Sequence, residues 1–293
     1  MIHFFAVYNR TIKDFTNWWA PELASALQPA NYRNLLWSRP RSPAAVIFSD
    51  MEQLPEWQLV LAKKFCRNLQ NSPNPPKILN DPNHYAGRFE LLEILHRHGI
   101  NDFRASRLDR VNELKFPVFL RRDLDHRGPV TGLLHSPDEV AQAVKKLSLR
   151  DRCFRRHRLM AVEYLDCRDS DGLFRKYSVM KIGGTLIPRH ILLSREWVTK
   201  KADFVDEATV AEETAFIENF PHREKVAEIF RVAGVDYGRV DYGVKNGRLQ
   251  VWEINTNPTI VPAPLMINPL RKPLQRASAA FIARTLASLN AKQ

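Results

Sequence analysis

The chain has 293 residues, of which 44% are hydrophobic and 26% are charged, a balance that is typical of folded globular proteins and excludes global disorder. No apolar run approaches the roughly 20 residues that a membrane helix needs, and the apolar start at Met1 lacks the charged segment of a signal peptide, so we expect a cytoplasmic protein. Lysine and arginine exceed the acidic residues by 44 to 32, and the resulting net charge of +12 favours anionic partners without choosing among them.

The first part of the chain alternates predicted strands and helices, separated by Pro-rich or Gly-containing turns. The elements are a strand at 44–48, a helix at 57–69, a strand at 77–80 and a helix at 89–98. Strands that alternate with helices are typical of a parallel sheet. We therefore predict an α/β domain with a parallel sheet over residues 1–105.

From about residue 106 the pattern changes to strands joined by short turns, with Gly183-Gly184 and Asn246-Gly247 as hairpin signals. The predicted strands are 116–121, 158–165, 174–182, 185–193 and a hairpin over 240–255, and the predicted helices are 137–147, 206–219, 224–233 and 278–289. This order predicts a second, α+β domain over residues 106–293. We divide it into a smaller, lid-like subdomain at 106–165 and a subdomain at 166–293 that carries the metal and substrate residues.

The patterns of several common enzyme classes are absent from the sequence. There is no G-x-x-x-x-G-K-[ST], G-x-G-x-x-G, H-E-x-x-H or G-x-S-x-G motif, so the usual phosphate loop, dinucleotide turn, zinc protease helix and nucleophile elbow are excluded. The three cysteines, Cys66, Cys153 and Cys167, form no C-x-x-C pair, so we expect neither a disulfide framework nor a zinc ribbon. No arrangement for covalent catalysis by a nucleophilic side chain is visible.

The register of the last hairpin decides which side chains share a face. A two-residue turn at Asn246-Gly247 would place Asp241 opposite Trp252, whereas a three-residue loop would place it opposite Glu253. A slip of one residue moves every side chain to the other face, and only the second arrangement segregates the apolar residues. We therefore predict the three-residue loop, with one face formed by Val240, Tyr242, Val244, Trp252 and Ile254.

In this register the opposite face carries Asp241, Glu253 and, at the strand end, Asn255. The same face would hold Leu249 and Val251, so it is expected to be partly buried. Two buried carboxylates without a cation are costly, and hard oxygen ligands suit Mg²⁺, which takes its remaining ligands from water and substrate phosphates. The alternative is a surface hairpin with a solvated polar face.

The spacing Asp241…Glu253-Ile254-Asn255-Thr256-Asn257-Pro258 resembles the metal signature of the ATP-grasp superfamily, in which Asp, Glu and Asn hold Mg²⁺ between the phosphates of ATP. The resemblance covers about residues 77–262 and is strongest for the branch of glutathione synthetases and ribosomal-protein glutamate ligases. It implies two subdomains that clasp a nucleotide behind an N-terminal α/β domain. It also implies ATP and Mg²⁺ as cofactors, with Mn²⁺ as an alternative ion.

Two arginines resemble the family's phosphate-binding lysines. Arg121 ends the strand whose last residue, usually Lys, reaches the α- and β-phosphates, and Arg88 resembles the first phosphate-contacting Lys. The planar fork of Arg differs from the point charge of Lys, and the alternative for Arg121 is a solvated strand end. Residues 126–132 occupy the position of the family's small loop over the phosphates, although an ordinary strand connection is the alternative.

The segment after the predicted strand 158–165 resembles the hinge that binds adenine. The resemblance implies that Glu163 meets the exocyclic amine, that Tyr164 and Leu165 supply peptide groups, and that Asp166 or Asp169 reaches the ribose. The alternative for Glu163 is an exposed strand end.

Four further residues follow from the resemblance at the phosphate end. Arg175 and Lys176 begin the strand that delivers a cation toward the γ-phosphate, and Arg189 is placed to stabilise an acyl phosphate. His190 beside it would do acid–base work. The alternatives are solvated outward residues and a structural histidine.

The resemblance implies an ATP-dependent ligase that joins a carboxylate to an amine through an acyl phosphate. The excess of arginine suggests a small or peptide substrate that is acidic. Two other functions stay open: a kinase that stops at the phosphorylated small molecule, and a non-catalytic binder that uses the basic surface. We do not expect nucleic acid or a membrane as partner, and the sequence leaves open whether the chain forms a homo-oligomer. The group Trp37, Arg39 and Arg41 is compatible with a binder, although a loop anchored by Trp37 is the alternative. The basic run at 150–158 is expected to be a solvated connection, with a patch for an acidic substrate as the alternative.

Overall fold

The computed structural model describes residues 1–36, 43–123, 128–148 and 158–290. Its strands are β1 (Ile2–Phe5), β2 (Leu27–Ala30), β3 (Ala45–Phe48), β4 (Lys77–Leu79), β5 (Ala105–Arg107), β6 (Val118–Arg122), β7 (Leu159–Glu163), β8 (Phe174–Ile182), β9 (Thr185–Ser194), β10 (Tyr237–Lys245) and β11 (Arg248–Asn255). Its α-helices are α1 (Arg10–Trp18), α2 (Glu56–Gln70), α3 (Arg88–Arg97), α4 (Pro137–Lys146), α5 (Glu207–Asn219), α6 (Arg223–Ala233) and α7 (Lys272–Ser288). Among the described residues, no helix is long and apolar enough to cross a membrane.

The N-terminal sheet is parallel, with strand order β2-β1-β3-β4. The central strand β3 is buried along its whole length, because a parallel sheet is covered on both faces and its strands are apolar runs rather than alternating ones. The predicted α/β domain with a parallel sheet is therefore confirmed. The sequence analysis did not predict β1 and β2, which complete the sheet.

The second half of the chain forms two antiparallel sheets, as predicted. The larger one has the order β11-β10-β8-β9, and the smaller one has the order β5-β7-β6. Buried side chains of α6, among them Val226 and Phe230, pack with Val240 and Val251 of the larger sheet in one hydrophobic core. The mixed α/β architecture is confirmed, while the domain boundaries at residues 105 and 165 stay predictions.

The register of the β10–β11 hairpin differs from the prediction in one respect. Asp241 lies opposite Glu253 as expected, but the turn has two residues, Asn246-Gly247, since Lys245 pairs with Arg248. Both turn residues have positive φ, 51° and 72°, the conformation of a tight hairpin turn. A β-bulge takes up the remaining residue: Asp241 pairs with Glu253 and Tyr242 with Val251, so Trp252 is the extra residue.

The bulge also corrects the predicted faces. Leu249 and Val251 belong to the core beneath α6, together with Tyr242, rather than to the face of the carboxylates. Trp252 leaves that core and packs with the cluster of Phe119 and Tyr164. An extra residue in one strand reverses the alternation beyond it, so the face of Asp241 and Glu253 gains an aromatic ring.

The carboxyl ends of the N-terminal strands are bonded to this hairpin. Asn80, just after β4, donates from Nδ2 to the carbonyls of Phe48 (2.9 Å) and Tyr237 (2.7 Å). Its Oδ1 accepts from the N–H groups of Asp236 and Tyr237 at 2.8 and 2.9 Å. A fully satisfied buried amide of this kind fixes one element against another, so the parallel sheet positions β10.

Some predicted features lie outside the described residues. These are Trp37, Arg39 and Arg41, the first residues of the loop at 126–132, Cys153, and the basic run from Arg150 to His157. The two described cysteines, Cys66 and Cys167, are buried and are not joined in a disulfide.

Candidate active site

A cleft of about 330 Å³ lies between the smaller sheet and the β10–β11 hairpin. One end is apolar and the other is charged. The apolar end is lined by Phe103, Phe119, Val162, Tyr164, Leu165, Trp197 and Trp252, and the charged end by Arg121, Lys176, Lys200, Arg239, Asp241, Glu253 and Asn255. A cavity with this division suits a ligand that has a flat apolar group at one end and anionic groups at the other.

Aromatic rings form the wall of the apolar end. Trp197 packs against Phe119 at a centroid distance of 4.9 Å and meets Tyr164 edge-on at 5.7 Å. Trp252, brought here by the bulge, lies directly over Gly243, where an added Cβ would stand 2.6 Å from its Cη2 atom. Glycine at 243 is therefore needed for the indole to take this position.

The charged end is built on facing pairs of the hairpin. Asp241 pairs with Glu253, and Arg239, two residues earlier, pairs with Asn255. Residues two apart on a strand share a face, so the four side chains converge on the cleft. The two predicted carboxylates and the predicted carboxamide at the strand end therefore lie on one face, and Arg239 lies with them.

Asp241 is buried, with 3% of its surface exposed. Its Oδ1 accepts from Ser178 Oγ at 2.7 Å and from Arg239 Nε at 3.0 Å. The ammonium group of Lys176 lies 3.6 Å from Oδ2. These donors satisfy the hydrogen-bonding capacity of a buried carboxylate.

Glu253 is held in the same way from the other side of the cleft. Arg88 Nη2 and Arg121 Nη2 donate to its Oε2 at 2.9 and 3.0 Å. Both arginines are at most a tenth exposed, so the ion pairs lie in a region of low dielectric where they are strong. Arg88 and Arg121, the two residues predicted to bind phosphates, thus converge on a predicted metal ligand.

The oxygen donors at this end fit a magnesium ion. No group of three or more His, Cys, Asp or Glu that could hold a metal occurs in the described part of the chain, which argues against a closed all-protein site. Asp241 and Glu253 offer carboxylate oxygens, and Asn255 Oδ1, which accepts one N–H from Asn257 at 2.8 Å, has a second lone pair. Two or three hard oxygens beside cations suit Mg²⁺ that shares phosphate ligands with a bound substrate.

Glu163 lines the cleft, and both oxygens of its carboxylate accept hydrogen bonds from backbone N–H groups. Oε2 accepts from the N–H of Arg104 at 2.9 Å, and Oε1 accepts from the N–H of Lys115 at 2.7 Å. Glu163 therefore joins β7 to the segments before β5 and β6, and the expectation that it meets an exocyclic amine is not supported. Tyr164 and Leu165 do line the cleft.

Arg175 and Asp166 are not among the residues of the cleft. The Arg175 guanidinium pairs with Asp171 at 2.7 Å, with Glu212 at 2.7 Å and with Asp169 at 3.0 Å. Asp166 pairs with Arg168 at 2.6 Å. Successive residues of β8 point to opposite faces, so Lys176 reaches the cleft and Arg175 does not.

Arg189 lies behind the cleft rather than in it. It is 2% exposed, and its Nη2 donates to the carbonyl of Ile260 at 2.7 Å. Burial, and then the charge of Arg239, lower its pKa to about 9. The same two causes hold the pKa of His190 well below its usual value, so that imidazole is neutral at pH 7.

Arg239 is the residue that the sequence analysis missed. It lies in the cleft on the face of Asp241, whereas Arg189 does not line the cleft, and it also donates from Nη1 to the carbonyl of Thr259 at 3.4 Å. The signal was available, because Arg239 stands two residues before Asp241 and must share its face in any strand.

Comparison with solved structures finds the same fold in several ligases. D-alanine–D-alanine ligase from Bacillus anthracis, complexed with ATP, matches with a TM-score of 0.56 and 15% identity, over 99% of this chain and 94% of that chain. An ATP-grasp ligase complexed with Mg, ADP and a phosphomimetic variant of a minimal precursor matches with a TM-score of 0.51 and 13% identity, over 97% of both chains. No family model matches the chain, and none of the curated proteins does.

A RimK domain protein from Sphaerobacter thermophilus, described as ATP-grasp, matches with a TM-score of 0.50 and 15% identity, over 97% of this chain and 98% of that chain. These near-complete alignments show that the chain has the fold of the ATP-grasp structures. The resemblance seen in the sequence is confirmed at that level.

Proposed function

We propose that the protein is an ATP- and Mg²⁺-dependent ligase that joins a carboxylate to an amine. The observation that carries this proposal is the cleft itself, in which an aromatic end and an end with paired carboxylates and cations meet on an ATP-grasp fold. The structural neighbours described as D-alanine–D-alanine ligase and as ATP-grasp ligase support a ligase in general.

The aromatic end would take the adenine. The ring would lie between the side chains of Phe119, Tyr164 and Trp252, with Leu165 at its edge. Stacking on aromatic rings and burial of apolar surface supply the affinity there. The phosphates would then run toward Arg121 and Lys176, with Arg88 behind them.

The charged end would hold the metal and neutralise the phosphates. Asp241, Glu253 and Asn255 would bind Mg²⁺, which supplies charge neutralisation to a transferring phosphoryl group. The guanidinium of Arg239, fixed between Asp241 and the carbonyl of Thr259, would stabilise the negative charge of an acyl phosphate. Such preorganised charges act without moving during the reaction.

The proposed reaction has two steps. A carboxylate oxygen of the first substrate attacks the γ-phosphorus and ADP departs, which leaves an acyl phosphate. An amine then attacks the carbonyl carbon, the C–O bond to phosphate breaks, and inorganic phosphate leaves as the nitrogen loses its proton. The cations around Arg239 favour an acidic small molecule or peptide as the carboxylate substrate.

The proposal is tested by ADP release in a screen of acidic carboxylates with amines, followed by a trap with hydroxylamine. A ligase releases ADP only when a carboxylate is present and yields a hydroxamate with hydroxylamine, and Asp241→Asn abolishes both. A phosphorylated product that resists hydroxylamine and needs no amine would show a kinase instead. Absence of nucleotide binding would leave a binder of anionic partners.

A further inference from the structure

The segment that follows Asn255, a proposed metal ligand, is bonded to the carboxyl edge of the N-terminal parallel sheet. Asn257 Nδ2 donates to Asp50 Oδ2 at 2.6 Å and to the carbonyl of Tyr8 at 2.9 Å. Its Oδ1 accepts from Thr11 Oγ1 in the first turn of α1. Tyr8 lies after β1 and Asp50 lies after β3. One carboxamide thus joins the end of β11 to groups that are 207 to 249 residues away in sequence.

The partners of Asn257 hold its side chain in one place. Asp50 is 2% exposed, and its Oδ2 also accepts from the N–H of Tyr8 at 3.2 Å. A hydrogen bond to a buried carboxylate is charge-assisted and stronger than one between neutral groups. Because Asn257 uses both its amide nitrogen and its amide oxygen in such bonds, its position is fixed relative to the parallel sheet.

The backbone at Asn257 in turn fixes the side chain of Asn255. The N–H of Asn257 donates to Asn255 Oδ1 at 2.8 Å, in a turn where an asparagine side chain accepts from the N–H two residues on. This bond uses one lone pair of the oxygen and sets the direction of the other. Asn255 is 9% exposed and lines the charged end of the cleft, so that direction decides whether its oxygen meets a cation beside Asp241.

We propose that Asn257 is a positioning residue for the metal site, which ties the oxygen of Asn255 to the N-terminal sheet. This role rests on the proposed function, because it requires that Asn255 binds Mg²⁺. Asn257 is not among the residues that line the cleft, so it acts through Asn255 and not on the ion or the nucleotide. Groups that orient a metal ligand by a hydrogen bond typically account for about 10–100-fold in metal affinity.

Other hydrogen bonds hold the same segment to the parallel sheet without the side chain of Asn257. Ser49 Oγ donates to the carbonyl of Thr256, and the N–H of Asp50 donates to Thr256 Oγ1 at 3.1 Å. Loss of the Asn257 side chain therefore leaves the segment bonded to the sheet. Ser49 is fully buried, so Ser49→Ala is a matched control that removes a buried hydrogen bond from this segment and leaves those of Asn257 in place.

The test uses Mn²⁺ as a spectroscopic probe of the magnesium site, on the full chain with ADP. Electron paramagnetic resonance measures the dissociation constant of Mn²⁺ in the presence of ADP, and calorimetry measures that of ADP without metal. The proteins are wild type, Asn257→Ala, Ser49→Ala and Thr11→Val, which removes only the hydroxyl that bonds to Asn257 Oδ1. Urea denaturation of each protein without ligands verifies folding, and Thr11→Val carries the test if Asn257→Ala does not fold.

We expect Asn257→Ala to bind Mn²⁺ about tenfold more weakly than wild type in the presence of ADP, and Thr11→Val about threefold more weakly. The Mn²⁺ affinity of Ser49→Ala should stay within about twofold of wild type, because its bonds are independent of Asn257. The affinity for ADP without metal should be the same in all four proteins, since the aromatic end of the cleft is unchanged.

Three results would overturn the positioning role. One is an Mn²⁺ affinity of Asn257→Ala and Thr11→Val equal to that of wild type. The others are an equal loss in Ser49→Ala, or a parallel loss of metal-free ADP affinity, since both would show a general effect on structure. Each of these leaves the proposed function intact, whereas a wild-type protein that binds ADP without any effect of Mn²⁺ would overturn the proposed function as well.

Discussion

Arg121 Nη2 donates to Glu253 Oε2 over 3.0 Å, which joins the residue expected at the phosphates to a residue expected at the metal. Arg88 donates to the same oxygen at 2.9 Å. A cation bound by Glu253 would compete with the two arginines for this oxygen, and phosphates are anions that the arginines could then bind. The contact thus couples the binding of metal to the binding of nucleotide.

This coupling predicts that Mg²⁺ and ATP bind synergistically. We expect ATP to tighten the binding of Mg²⁺ at least tenfold, and Mg²⁺ to tighten ATP by the same factor, because linkage is reciprocal. Calorimetric titrations of each ligand in the presence and absence of the other measure both factors. Independent affinities would contradict the coupling.

Arg121 and Arg175, both predicted from the sequence as site residues, should differ in their effect on ATP affinity. Arg121→Gln should weaken ATP binding about tenfold or more, because it removes a charge-assisted hydrogen bond at the phosphates. Arg175→Gln should leave the ATP dissociation constant within about twofold, since that guanidinium pairs with Asp171, Glu212 and Asp169 away from the cleft. A larger effect of Arg175→Gln on nucleotide affinity would show that the residue reaches the site.

Gly243→Ala tests the position of Trp252. The added methyl would stand 2.6 Å from the indole, so the ring must shift and the aromatic end of the cleft must change shape. We expect ATP to bind about tenfold more weakly while the protein stays folded, since stacking is worth about 0.5–1.5 kcal/mol. Gly184→Ala is the control, because no atom lies within 4 Å of a Cβ added there. Equal ATP affinities of the two variants would contradict the position given to Trp252.

Asn80 should be a stability determinant that links the two halves of the chain. Asn80→Gly removes its hydrogen bonds to Phe48, Asp236 and Tyr237 and should lower the free energy of unfolding by about 2–4 kcal/mol. Asn80→Ala should cost about 1 kcal/mol more, because φ is 59° there and alanine disfavours that conformation. Urea denaturation measures both, and a loss below 1 kcal/mol for the glycine variant would contradict the assignment.

His190 should make the protein less stable in mild acid. Burial lowers its pKa in the folded state, so below about pH 6.5 the unfolded chain binds a proton that the folded chain does not. The free energy of unfolding should therefore fall by up to about 1.4 kcal/mol per pH unit for this group as pH drops from 6.5. His190→Gln should remove that slope in urea denaturation series, and the exposed His98→Gln should not.

The sequence was sufficient for the fold and for part of the site because these depend on local pattern. The sequence pattern separated the parallel sheet from the two antiparallel sheets, and the carboxylates of Asp241 and Glu253 proved to be opposite each other. The loop length was wrong because two arrangements satisfy the same pairing: a longer loop, or a short turn with a bulge. Only the packing of Trp252 against the cleft distinguishes them.

The remaining errors come from contacts that are distant in sequence. The choice between Arg175 and Lys176 depends on which face of β8 meets β10. Glu163 looked free at a strand end, but the N–H groups of Arg104 and Lys115 reach it. No local pattern shows such partners, since they are 59 and 48 residues away.

The binding of ATP to wild type and to Glu253→Gln, by calorimetry with and without Mg²⁺, tests the central claim most directly. The account predicts binding to wild type that Mg²⁺ strengthens and a variant in which the effect of Mg²⁺ is lost, because a neutral amide holds the ion poorly. Glu228→Gln, the same change at an exposed carboxylate on α6, serves as the control for altered charge. Failure of wild type to bind ATP, or an equal effect of Mg²⁺ on both proteins, would contradict the account.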